Sequence, residues 1–97
     1  MMRHRNAHRF HKRDRNHAEI AAALRQVGCR VLDLSHVGDG APDAIVAFRG
    51  QIVLLEFKTA RGKLTPAEAN FHREWEGQPV HVVRSIEEAV ALVGALE

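Results

Sequence analysis

GAPDAIVAFRGQIVLLEFK, Gly40 to Lys58, holds two apolar runs joined through Arg49-Gly50. A two-residue connection ending in glycine favours a tight hairpin, so the runs read as antiparallel neighbours. With the turn at 49–50, residues whose numbers sum to about 99 face each other, which brings Asp43 near Glu56. Side chains alternate along a strand, so Glu56 and Lys58 share one face and Phe57 points to the other. Three charges therefore converge at one end of a hairpin that is otherwise built for burial.

Two carboxylates set together repel, and a divalent cation relieves that repulsion. Asp and Glu oxygens, completed by water, suit Mg²⁺ or Mn²⁺. The backbone carbonyl of Phe57 is a further candidate ligand, being close along the strand. Lys58 beside such an ion offers charge stabilisation where phosphodiester hydrolysis needs it. The same residues also read as a salt bridge at the solvent edge of the sheet, with Lys58 paired to Asp43 or Glu56 and no metal.

Working outward, Ile20, Ala23, Leu24 and Val27 form one apolar stripe and predict a helix over 17–27. Asn16 is the expected N-cap, with Glu19 as its reciprocal capping partner, and Gly28 is the stop. Arg30–Ser35 reads as a strand. His36 to Pro42 is a loop rich in glycine. Asp43–Phe48 and Gln51–Lys58 are the hairpin strands. Thr65-Pro66-Ala67-Glu68 opens a second helix with a capping box, ending near Gly77 and Pro79. Phe71 and Trp75 lie four apart on its expected inner face, as core. Val80–Val83 is a fourth strand, and Ser85-Ile86-Glu87-Glu88 caps a last helix. The fold class is α/β, in the order αβββαβα, a small mixed sheet flanked by helices. The crossover through 65–76 is long enough to make the third and fourth strands parallel.

The chain has 97 residues, 45% apolar and 27% charged, which suits one globular domain. Residues 1–15 read as a basic arm and 16–97 as the domain. The arm region carries Arg3, Arg5, Arg9, Lys12, Arg13 and Arg15 against Asp14, while residues 18–97 are net −3. Such an arm suits phosphates or serves as a solubilising tail. Cys29 is alone and reads as a small buried hydrophobe. No apolar run reaches transmembrane length and no secretory pattern follows the basic N-terminus, so the expectation is a cytoplasmic protein with no membrane partner.

The ordered set Gly38-Asp39-Gly40-Ala41-Pro42-Asp43, then Leu55-Glu56-Phe57-Lys58, then Gly62-Lys63-Leu64-Thr65-Pro66 resembles the VRR-NUC branch of the PD-(D/E)xK nucleases. The similarity runs from about Glu19 to the C-terminus. It implies a restriction-endonuclease-like core and a DNA endonuclease dependent on Mg²⁺ or Mn²⁺, with Asp43, Glu56 and Lys58 as the catalytic centre. It further implies a homodimer acting on duplex or branched DNA in a bacterial or phage setting. Relatives often add a glutamate from the first helix to the metal environment, which Glu19 matches in rivalry with its capping role. They usually carry glutamine where this chain has Glu68. Glu68 caps its helix or adds negative charge beside the metal. The alternative function is an inactive DNA-binding module with the same fold. His36, Arg61, Lys63 and Glu68 are further candidates for substrate contact, the first three against a reading as ordinary surface residues and Glu68 against its capping role.

Overall fold

The computed structural model describes residues 12–96. Helix α1 (Lys12–Gln26) leads into three strands, β1 (Arg30–Asp33), β2 (Ala44–Phe48) and β3 (Gln51–Phe57). Helix α2 (Pro66–Glu74) crosses over to β4 (Val80–Val83), and α3 (Ile86–Gly94) follows. The strands lie in the order β1-β2-β3-β4. The first three are antiparallel in turn and β4 runs parallel to β3. This is the mixed sheet and the αβββαβα order that the sequence predicts.

The turn at 49–50 works as expected. Arg49 and Gly50 both take left-handed backbone, with φ of 53° and 79°, the conformation that a two-residue hairpin requires. Ala44 then faces Leu55, Val46 faces Val53 and Phe48 faces Gln51. Beyond the last pair, the Asp43 N–H donates to the Leu55 carbonyl at 3.0 Å, which carries the register to the start of the charged corner.

One face of the sheet makes the core. Ala44, Val46, Val53, Leu55, Phe57 and Val83 are buried against Ile20 and Leu24 of α1 and Ala89 and Val93 of α3. Each such aliphatic or aromatic burial contributes about 1.5–3 kcal/mol for the larger side chains. Cys29 joins this cluster, as expected. In β3 the residues of the opposite face, Leu54 and Glu56, are buried too. The central strand therefore lacks the alternation of a half-exposed one. Toward β1 the second face opens, and Leu32 and Ile52 are more than half exposed.

The first helix corrects the sequence reading. It is already under way at Lys12, so Asn16 is an interior residue and the Asn16–Glu19 capping box does not form. The rest of the basic arm, residues 1–11, lies outside the described residues. The helix ends as expected. Gly28, at φ 102°, donates to the Arg25 carbonyl, and Cys29 donates to the Leu24 carbonyl at 3.0 Å. These are the paired bonds of a Schellman stop, and Leu24 and Cys29 meet in the core beneath it.

Helix α2 carries the predicted capping box. The Glu68 N–H donates to Thr65 Oγ at 3.1 Å and the Thr65 N–H donates to Glu68 Oε1 at 2.9 Å. The expectation that Phe71 and Trp75 belong to the core is not met. They stack on each other with centroids 4.9 Å apart, but Trp75 is 47% exposed and no residue of the helix is fully buried. The last helix has half of its expected box. Ser85 Oγ accepts from the Glu88 N–H, while Glu88 Oε1 accepts from Arg84 N rather than from Ser85.

Gly40 ties the loop before β2 to α2. It sits at φ 77°, and a Cβ there would collide with the Ala67 carbonyl in the first turn of α2. Gly38 also has positive φ, at 83°, but nothing lies near it. Alanine at either position meets the left-handed penalty of about 1–2 kcal/mol. Gly40→Ala should cost at least about 1 kcal/mol more than Gly38→Ala, because backbone must also move. Urea denaturation of the two variants checks this, and equal losses would show that Gly40 holds no close contact.

Candidate functional site

The hairpin delivers Asp43 and Glu56 to one corner, as the register predicts. Asp43 precedes β2, and its Oδ2 accepts from the Phe57 N–H at 2.8 Å. Glu56 projects to the face opposite Leu55 and Phe57, is fully buried, and has no hydrogen-bond partner among the described residues on either carboxylate oxygen. Burial, then the neighbouring Asp43 and Glu68 carboxylates, push its pKa from 4.5 up to about 9. In the protein alone this group is neutral at pH 7.

Lys58 shares that face and is only 6% exposed. Its Nζ lies 3.8 Å from Glu56 Oε2 and 2.8 Å from Glu68 Oε1. The salt-bridge reading is thus met in a different form, with the pair buried rather than at a solvent edge and the shorter contact going to α2. Glu68 Oε1 both caps its helix and holds the lysine, so the two readings of Glu68 are one geometry. Burial pushes the Glu68 pKa upward, but its bonds to Lys58 and the Thr65 N–H outweigh this and hold it below the ordinary value. One turn along α2, burial keeps the His72 imidazole pKa below its usual value. Its Nε2 has no hydrogen-bond partner among the described residues.

The other predicted residues stand apart. Glu19 is exposed on α1 and borders a separate cleft of about 210 Å³ with Arg15, Asn16, Thr59 and Arg84. It lines neither of the two cavities that Asp43 lines. His36 is exposed and lines neither cavity. Arg61 and Lys63 are exposed on the loop after β3. Arg84 organises that loop, donating from Nη1 to the carbonyls of Thr59 at 2.8 Å and Gly62 at 2.6 Å.

Two residues near the corner escaped the sequence reading. Asn16 donates Nδ2 to the Lys58 carbonyl at 3.0 Å, and His17 Nε2 lies 3.2 Å from the Phe57 carbonyl and 3.6 Å from Asp43 Oδ2. The available signal was their adjacency at the start of a helix, but Asn16 read as the N-cap and His17 as the first helical residue, and neither reading points to β3.

A cavity of about 310 Å³ opens onto this corner, lined by His17, Ser35, Gly38, Gly40, Asp43 and Glu68 among others. Among the described residues, no three His, Cys, Asp or Glu side chains form a ready cage. The donors do fit a hard cation that keeps much of its water: a buried carboxylate with two unpartnered oxygens beside a second carboxylate.

No family model and no curated protein matches the chain. A solved structure described as a VRR_NUC domain superposes with a TM-score of 0.71 at 28% identity, covering 89% of this chain and 98% of that one. That likeness supports a VRR-NUC family assignment. VRR-NUC is a nuclease-type domain, and the four-stranded mixed sheet of this chain matches it. The sequence resemblance and the fold thus agree on the VRR-NUC scaffold.

The buried carboxyl has a consequence for stability. Glu56 is protonated in the fold up to about pH 9 but titrates near 4.5 when unfolded. Folding therefore takes up a proton between those values, and the stability this group confers is complete below pH 4.5 and is lost as pH rises toward 9. Without divalent ions the melting temperature should fall across this window. Glu56→Gln should flatten the fall and raise the midpoint at pH 8 by about 5 °C or more, the shift that roughly 1 kcal/mol produces in a domain of this size. Melting curves from pH 5 to 9 test this, and parallel profiles for the two proteins would contradict it.

Proposed function

We propose that the chain is a metal-dependent endonuclease that hydrolyses phosphodiester bonds in DNA. The observation that carries this reading is the juxtaposition of buried, unpartnered Glu56 with Asp43 and with a lysine held by Glu68, on a VRR-NUC scaffold.

Asp43, Glu56 and the Phe57 carbonyl would hold Mg²⁺ or Mn²⁺. When bound, such an ion supplies a Lewis acid for the phosphodiester and for the attacking water. The chain's own residues do the rest. Asp43 is oriented by the Phe57 N–H, and the rigid hairpin sets its distance from Glu56. Lys58 is fixed by Glu68 and donates toward charge that develops on the phosphate oxygens. One P–O bond to the water oxygen forms as one P–O ester bond breaks; the water gives up a proton to solvent and the departing ester oxygen takes one from solvent, leaving a phosphate monoester and an alcohol.

DNA is the proposed substrate, in duplex or branched form. Arg61 and Lys63, exposed on the loop that Arg84 holds, are candidates for phosphate contact. The basic residues upstream of Lys12 extend the same charge. A homodimer, which would present two such sites, and a cytoplasmic setting in a bacterial or phage system are parts of the same proposal. No described helix is long and apolar enough to cross a membrane. Glu68 was the reason to consider an inactive DNA-binding module, and its contact with Lys58 favours a working site instead.

Cleavage of supercoiled plasmid and of a four-way junction tests the proposal. Activity should require Mg²⁺ or Mn²⁺, stop with EDTA, and fall at least about a hundredfold in Lys58→Ala. Cleavage that survives both EDTA and Lys58→Ala would place the chemistry elsewhere.

A further inference from the structure

Helix α1 brings an imidazole to the carboxylate corner. His17 Nε2 stands 3.2 Å from the Phe57 carbonyl oxygen and 3.6 Å from Asp43 Oδ2. The ring meets Phe57 edge-on, with centroids 5.2 Å apart and planes at 80°. Its side chain is mostly buried, and His17 borders both cavities that Asp43 borders. The preceding residue, Asn16, donates to the Lys58 carbonyl at 3.0 Å. Two consecutive side chains of α1 thus address two consecutive carbonyls at the end of β3. The ring position is set by the backbone of the strand that carries Glu56 and Lys58.

We infer that His17 is a protein ligand of the divalent ion, acting with Asp43 and the Phe57 carbonyl, and that it biases the site toward Mn²⁺ over Mg²⁺. This rests on the metal-dependent reading above. Donors in neighbouring positions around an octahedral cation, each at about 2.1 Å, lie about 3 Å from one another. The separations of His17 Nε2 from Phe57 O and from Asp43 Oδ2 are of that order. The set is two side chains and a carbonyl, with Glu56 as the second carboxylate and water completing the shell. It needs no ligand from Glu19. Mg²⁺ prefers oxygen and water, whereas transition-series ions accept an imidazole nitrogen readily, so one nitrogen donor shifts the balance between the two.

A purely structural His17 would donate its Nε2–H to the Phe57 carbonyl. Glutamine can make that bond too, but it supplies no imidazole. The test is Mn²⁺ titration of the full chain followed by the electron paramagnetic resonance of free Mn²⁺, with Mg²⁺ as competitor, for wild type, His17→Gln and Asp43→Asn. Wild type should bind Mn²⁺ and show nitrogen hyperfine coupling in pulsed spectra. His17→Gln should keep its melting temperature without metal, lose that coupling, bind Mn²⁺ about tenfold or more weakly, and lose most of the preference over Mg²⁺. His17→Gln with wild-type affinity and preference, while Asp43→Asn loses binding, overturns the role of His17 and leaves the metal site standing. No Mn²⁺ binding by wild type, or binding that Asp43→Asn leaves unchanged, overturns both.

Discussion

Glu56 is buried in the central strand with both oxygens unpartnered, and the surrounding arrangement depends on how that is tolerated. Removing a lone carboxylate from water costs several kcal/mol, against a typical net stability of about 5–15 kcal/mol for a whole domain. The Glu56 side chain can carry a proton, face a cation, or destabilise the sheet. Lys58 is too far, at 3.8 Å, to satisfy it by a hydrogen bond, and it is committed to Glu68 at 2.8 Å. Asp43 adds negative charge beside Glu56 and so strengthens the demand for positive charge. The corner is therefore incompletely compensated by the chain alone, as befits a place where charge is to be received.

Four segments meet there, each placed by a simple local device. The Arg49-Gly50 turn sets the register between Asp43 and Glu56. Thr65 starts α2 where its Glu68 reaches Lys58, and the bare Cα of Gly40 lets the loop before Asp43 lie against that first turn. Helix α1 grips the end of β3 from the core side through Asn16 and His17. By contrast, α2 buries no residue fully and ends in a stacked pair of half-buried Phe71 and exposed Trp75. Its position depends on polar contacts at its N-terminus more than on a packed hydrophobic face.

The hairpin was legible because it is a local structure: a turn residue fixes the register, and the register fixes which charges meet. The capping box at Thr65 and the stop at Gly28 were legible for the same reason. The start of α1 was not, because Lys12 to His17 has no apolar periodicity. Asn16 and Glu19 have the spacing of a cap, yet Asn16 spends its amide on the Lys58 carbonyl, a contact 42 positions away in sequence. Trp75 misled in the opposite sense, since spacing from Phe71 shows that two rings share a helix face but not what lies beneath it. Glu68 presented a choice between cap and site neighbour that only three-dimensional geometry could resolve into both.

On the proposed metal-dependent reading, Glu56 is held neutral by its surroundings and ionises when a divalent cation arrives. Carbon-detected magnetic resonance of the Glu56 side-chain carboxyl, followed through pH with and without Mg²⁺ or Mn²⁺ (with a diamagnetic surrogate in place of Mn²⁺ for sharp lines), reads this directly. The carboxyl should be protonated at pH 7 without metal, titrating near pH 9, and ionised at pH 7 once the ion is added. A carboxyl that titrates near 4.5 in the metal-free fold, or one that ignores the ion, would contradict it.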